Sequence, residues 1–329
     1  AMSEYKGIKG FQVQTRTEDP TDGIAGDFYY NSTTGQFKTI NSGGAPIGTW
    51  ASGGSLNTTH YGSAGGGTQT AAFSVGGQAP SPPHAQAHHE QYDGSSWTEV
   101  ADLNTGRSFY DATCTGTQTA GLVAAGEKEP WSTRTADTET WNGSSWTEVN
   151  NLNAAKGQLA NCGTTTAAIA AGGESGTPLL ATTESWNGSS WTEVNDMSTG
   201  GKGGAMVGTS TASIYSGSGA SPYKTTQIWD GSSWTAGAEL NTAKYYNGGG
   251  GTSTSSITFG GFPGPRTATT ESWNGSTWTE VADLSTARGG GSSAPSAINS
   301  LYAGGDTGPG SVTEEFTAAD FEIKSVTTS

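Results

Sequence analysis

One phrase recurs along the chain. The stretches 90-EQYDGSSWTEVADLNTGRSF-109, 139-ETWNGSSWTEVNNLNAAKGQ-158, 184-ESWNGSSWTEVNDMSTGGKGG-204 and 271-ESWNGSTWTEVADLSTARGG-290 are near copies. A fixed internal period restricts a chain to architectures that stack one small unit. Taking the second aromatic of each copy as anchor gives Trp97, Trp146, Trp191, Trp234 and Trp278, with successive spacings of 49, 45, 43 and 44 residues. A first aromatic stands five residues earlier each time, at Tyr92, Trp141, Trp186, Trp229 and Trp273. The stretch 314-EEFTAADFEIK-324 repeats the pattern through Phe316 and Phe321. Upstream, 50-WASGGSLNT-58 aligns with 97-WTEVADLNT-105, which makes Trp50 a further anchor with no full repeat before it.

Each repeat resolves into four short strands. In residues 244–281 these are KYYNGGG, SITFGG, TTESW and TWTEV. Asn274-Gly275 joins the last two as a dipeptide that accepts positive φ and closes a hairpin. Equally short turns (GTQT, GTTT, GTST) join the first two. The 52 glycines supply reversals, Thr, Trp and Tyr favour strands, and no segment has the i, i+3, i+4 spacing of a long amphipathic helix. The fold class is therefore all-β, and four antiparallel strands at this period make a β-propeller blade. Six complete blades fit between residues 58 and 325. Trp50 leaves two closures open: its strand completes the blade containing Phe321, or residues 1–50 form a reduced seventh blade. The corresponding domain division is residues 1–49 as a closure segment and 50–329 as the propeller.

Double glycines end the second strands at Gly76-Gly77, Gly172-Gly173, Gly260-Gly261 and Gly304-Gly305. A double glycine, a variable loop and two spaced aromatics resemble the kelch repeat. Two blades depart from it, at 123-VAAGEK-128 and 215-YSGSGA-220, and the aromatics sit one residue closer than the usual kelch spacing. Residues 26-GDFYYNSTTGQFKTINSG-43 read as a separate hairpin. It resembles a short module of tail and fibre proteins of bacteriophages, particularly marine ones. That resemblance implies a virion protein, made in a host cytoplasm, with other virion proteins and a host-surface glycan or protein as partners.

Charge removes other classes. The net charge is −15 with 14 Lys and Arg, too few cations for the phosphate contacts of a nucleic-acid partner. No apolar run is long enough for a membrane span, and the start reads as lacking a signal peptide, with Ala1 ahead of Met2 as a remnant of expression. Cys114 and Cys162 fall at nearly equivalent places in adjacent repeats and read as two buried thiols, a disulfide being the other reading.

Two sets of residues are candidate binding groups. Ten residues after each anchor stands a basic or imidazole residue: His60, Arg107, Lys156, Lys244 and Arg288, with Lys202 slipped by one. On a propeller this position opens the innermost strand near the channel mouth, so the six form a ring suited to a carboxylate, sulfate or phosphate. A second ring stands two residues before each first aromatic, at Glu90, Glu139, Glu184, Gln227, Glu271 and Glu314. Pairing between the two rings is the structural alternative. The second set lies on the variable loops between second and third strands: Trp131, Arg134, Tyr223, Phe262 and Arg266. Aromatic faces stack on sugar rings, and charged groups fix hydroxyls or carboxylates. The alternative for Trp131 is packing against a neighbouring loop.

Other signals are discounted. Asn31, Asn57, Asn142, Asn187 and Asn274 occupy N-x-S/T triplets, but in the NGS turns Asn serves backbone geometry. His84, His88 and His89 crowd a Pro-rich loop read as solvated, without nearby carboxylates. No nucleophile, phosphate-loop or metalloprotease motif occurs, and the WNGSSW phrase only loosely resembles a sialidase Asp-box. The expectation is a non-catalytic recognition protein, with no cofactor and no metal. A purely structural virion protein and a polysaccharide-acting propeller enzyme are the alternatives.

Overall fold

The computed structural model describes residues 13–18, 28–42, 48–110, 115–129, 133–176, 179–262, 264–307, 310–318 and 321–325. The chain divides into two compact units, Thr49–Thr317 and a smaller one comprising Ala1–Gly48 with Ala318–Ser329.

Thr49–Thr317 is a β-propeller of six four-stranded antiparallel blades. Blade 1 runs Ala64–Thr68, Ala71–Val75, His89–Tyr92 and Trp97–Glu99 from inside outward. Blades 2 to 5 repeat this order from Thr115–Thr117 to Trp278–Glu280. Blade 6 takes three strands from the end of the unit (Gly291–Ala294, Asn299–Gly304, Thr313–Thr317) and its outermost from the beginning, Thr49–Ser52. The innermost strands adjoin one another in a closed circuit of six. Burial falls outward: second strands are buried almost throughout, whereas outermost strands bury little besides their leading Trp in blades 1 to 5.

Closure differs from expectation in one detail. Trp50 pairs with Phe316, as Trp97 pairs with Tyr92. Phe321 is not the second aromatic of that blade, because Phe321–Ser325 pairs antiparallel with Gln36–Ser42 in the smaller unit. That unit is one sheet in which the expected hairpin, Phe28–Asn31 with Gln36–Ser42, is flanked by Gln14–Arg16 in parallel. The N-terminal strands thus belong to their own sheet and add no seventh blade to the ring, and the propeller ends at Thr317 rather than 329.

The NGSS phrase makes a four-residue loop. Gly143 takes φ +95°, while the Asn142 carboxamide oxygen accepts from the Ser144 and Ser145 amides at 2.9 and 3.0 Å. The same acceptor geometry holds at Asp93, Asn187, Asp230 and Asn274. Asn is therefore present as an acceptor and not for a positive φ of its own, which explains why Asp substitutes freely.

The aromatic pairs lie directly opposite each other across the third and fourth strands, with ring centroids 5.0–5.5 Å apart in all six blades. Each second tryptophan also reaches the preceding blade. The indole N–H of Trp191 donates to Thr138 Oγ1 (3.0 Å), Trp234 to Thr183 (3.1 Å), Trp278 to Thr226 (3.0 Å), Trp50 to Thr270 (3.2 Å) and Trp97 to Thr313 (3.0 Å). In the sixth step the acceptor is His89 Nδ1, 3.1 Å from the Trp146 indole nitrogen. A circuit of six indole hydrogen bonds thus runs blade to blade around the propeller.

His89 must be neutral to accept, and burial pushes its pKa down to about 4. Buried His60 is likewise lowered to about 4, chiefly by desolvation. A histidine whose folded pKa is depressed binds its proton first in the unfolded chain. Stability is therefore full above about pH 6.5 and is lost as pH falls from there toward 4, by about 3 kcal/mol per residue. His89→Thr, which installs the acceptor used by the other blades, should flatten that acid limb in denaturant titrations at pH 7 and pH 4.5 while leaving His60's share. An unchanged limb would show that His89 is not the titrating group.

Candidate functional site

The basic positions are built from the connection that enters each blade. Four of them are buried ion pairs: Arg107 with Glu139 (2.9 Å), Lys156 with Glu184 (2.8 Å), Lys244 with Glu271 (3.2 Å) and Arg288 with Glu314 (2.5 Å). All eight side chains are at most 3% exposed. Burial pushes the Lys244 ammonium and the Arg107 guanidinium down from their ordinary values, opposed by Glu271 and Glu139. The glutamates also order the incoming backbone: Glu271 accepts from the Asn241 and Thr242 amides, Glu139 from Asn104, and Glu314 from Ser285.

The expected open ring of cations is thus corrected, since these four side chains face their own glutamates. His60 is buried and bonds Ser74 Oγ at 2.8 Å. Lys202, displaced by its one-residue slip, leaves the buried position and pairs with Glu174 at 2.6 Å. In that blade the carboxylate is replaced by Gln227, which binds Ser198 and Thr199 with no charge to balance.

Just beyond the basic positions the chain turns left-handed once per blade, at Gly62, Tyr110, Gln158, Gly203, Tyr246 and Gly290, with φ between 47° and 75°. Backbone bonds link these six across blades: Tyr110 N to Gly62 O, Gly62 N to Gly290 O, Gly290 N to Tyr246 O, Tyr246 N to Gly203 O and Gly203 N to Gln158 O, at 2.5–3.1 Å. The channel mouth on the variable-loop face is drawn together by this series of five bonds. Three of the six are not glycine, and left-handed backbone costs such residues about 1–2 kcal/mol each. Tyr110 and Tyr246, from opposite blades 2 and 5, meet over the mouth with ring centroids 5.1 Å apart. The Tyr246 hydroxyl donates to Gln158 Oε1 (2.6 Å), and the Gln158 amide donates to Glu127 (3.1 Å). Glycine is required at 203, where a Cβ would lie 2.6 Å from the Tyr246 ring.

From Tyr246 an aromatic cluster runs outward: to Tyr245 (4.7 Å) and Phe262 (5.4 Å), then from Tyr245 to Tyr223 (5.6 Å). The expected loop residues Tyr223 and Phe262 are thus brought together. Arg266 lies 5.9 Å over the Phe262 ring and pairs with Asp306 (2.8 Å). Arg134 sits apart from them, joined with Lys202 on Glu174. Burial pushes Glu174 up, but Lys202 and Arg134 outweigh it and hold its carboxyl below the usual range. Trp131 and Cys114 lie outside the described residues; Cys162 is a buried free thiol pushed up to about 12 by desolvation.

Sequence reasoning missed Tyr110, Tyr245, Tyr246, Gln158, Glu127 and Glu174. A signal existed for three of them: residues 110, 158 and 246 hold large side chains at the repeat position where 62, 203 and 290 are glycine. The histidine loop does meet carboxylates, contrary to expectation. His88 Nδ1 lies 3.2 Å from Glu99, with Asp102 close by, while His84 bonds Ala79 O and His89 takes the Trp146 indole. The three histidines therefore do not converge.

No protein-family model matches the chain, and no curated protein matches it in sequence. Among solved structures the β-propeller protein YjhT is similar, with a TM-score of 0.66 at 15% identity over 82% of this chain and 99% of that chain. At that identity the likeness shows the fold alone.

Blade 4 shows how a buried pair can be dispensed with. Lys244→Met should destabilise the propeller by about 3–5 kcal/mol, because it strands the Glu271 charge. Adding Glu271→Gln, the residue blade 4 uses, should restore most of that loss in urea titrations. A double variant as unstable as the single would contradict the pairing account.

Proposed function

We propose that the chain is a non-catalytic recognition protein that binds a glycan on its variable-loop face. The observation that carries this reading is the aromatic cluster of Tyr110, Tyr246, Tyr245, Phe262 and Tyr223, half-exposed beside the Gln158 amide and Glu127 at the channel mouth. Ring faces stack on sugars, and amides and carboxylates accept and donate to their hydroxyls. The backbone strain at Tyr110, Gln158 and Tyr246 supports a function, since such strain persists where the surroundings over-determine it. The non-catalytic part rests on the carboxylates of this face. Glu174 is clamped by two cations and kept ionised, and Asp306 is held by Arg266, which leaves both poorly suited to proton donation.

The N-terminal hairpin's resemblance to phage tail and fibre modules supports placing the protein in a virion, with the glycan on a host surface. A glycan-array screen of the purified chain should show saturable binding, weakened at least about tenfold in Phe262→Ala and Tyr223→Ala. A folded chain that binds no glycan would overturn the reading and leave a structural virion protein. Release of reducing ends from a bound polysaccharide would replace it with an enzyme.

A further inference from the structure

Resting on that reading, the charge arrangement narrows the ligand: we infer that the variable face takes an uncharged glycan and discriminates against carboxylated, sulfated or phosphorylated ones. Residues 49–317 carry nine Lys and Arg against 22 Asp and Glu, and all nine cations are among the described residues. Four are the buried pairs described above. Lys128 pairs with Asp137, Arg134 and Lys202 share Glu174, and Arg266 pairs with Asp306. The ninth, Lys224, donates to the Asn241 carbonyl at 2.6 Å. Every cation of the propeller is thus engaged by the protein itself.

The mouth points the same way. Glu127, only 7% exposed, takes its hydrogen bond from a neutral amide, and no Lys or Arg of the propeller pairs with it. A carboxylate so placed accepts from a sugar hydroxyl and repels a second anion. An anionic ligand would have to compete with an internal carboxylate at eight of the nine cations, Lys224 alone being held by a backbone carbonyl, and would meet the field of an acidic propeller. A neutral sugar loses nothing of the kind: ring faces meet the aromatics, and hydroxyls meet Gln158 and Glu127.

The test uses the full chain and matched oligosaccharide pairs that differ only in charge, a sialylated chain with its desialylated form and a sulfated galactan with its desulfated form. Titration calorimetry should give at least about tenfold tighter binding to the neutral member. That affinity should change less than about twofold between about 50 mM and about 500 mM salt. It should fall in Phe262→Ala and, as a second variant placed away from the mouth, in Tyr223→Ala. Tighter binding to the anionic member, lost in those variants and weakened by salt, would overturn the inference while leaving glycan recognition on this face intact. No binding to either member would overturn both.

Discussion

The propeller depends on what each outermost tryptophan does with its two ends. Its ring pairs across the strand with the first aromatic of its own blade, and its indole N–H donates to the third strand of the blade before it. A buried indole N–H left unpaired would cost about 1–3 kcal/mol, so the acceptor matters as much as the packing. Repeating that bond six times fixes the angle between blades. Its last step also accounts for closure: Trp50 arrives from the opposite end of the unit, pairs with Phe316 and donates to Thr270. Blade 6 is completed by a strand that carries the same two contacts as every other.

With the inter-blade contacts fixed on the outer strands, the connections entering each blade need a second constraint. The buried glutamates provide it, each accepting from incoming backbone amides and, in four blades, forming an ion pair with a buried cation. Blade 4 exposes the logic of the exception. Where Lys202 has left the buried position, the glutamate has become Gln227, so blade 4 keeps no buried charge without a counter-charge; in blade 1, opposite His60, the buried Glu90 is held instead by the Asn57 and Thr58 amides. The freed Lys202 then serves the variable face by neutralising Glu174. Constant elements thus carry the scaffold, and the side chains that differ between blades are left to shape one surface.

Much of this was legible in the chain. The spacing of the tryptophans, the four strands per repeat and the uniform turns all lead to the observed blades, because each rests on contacts a few residues apart. Closure was only half legible. Phe316 and Phe321 are five residues apart, as the aromatics of blades 1 to 5 are, yet the strand that completes the blade comes from residue 49. Which strand pairs at an edge is decided by distant sequence. The candidate site was read less well. Tyr223 and Phe262 were found because long loops announce themselves, whereas Tyr110, Gln158 and Tyr246 hide in a repeat position whose left-handed backbone shows only in three dimensions. The cations were recognised as a set, but their burial depends on glutamates about 30 residues away.

The central claim is that the indole-to-threonine bonds couple neighbouring blades. A double-mutant cycle with Trp191→Phe and Thr138→Val, read by urea unfolding, measures one such bond, because the cost of the volume lost with the indole is common to the single and double variants and cancels in the cycle. The account predicts a coupling of about 1 kcal/mol between the two sites, with each single variant destabilised and the double less so than their sum. Strict additivity would show that the bond contributes nothing beyond the packing of the rings and would contradict the account.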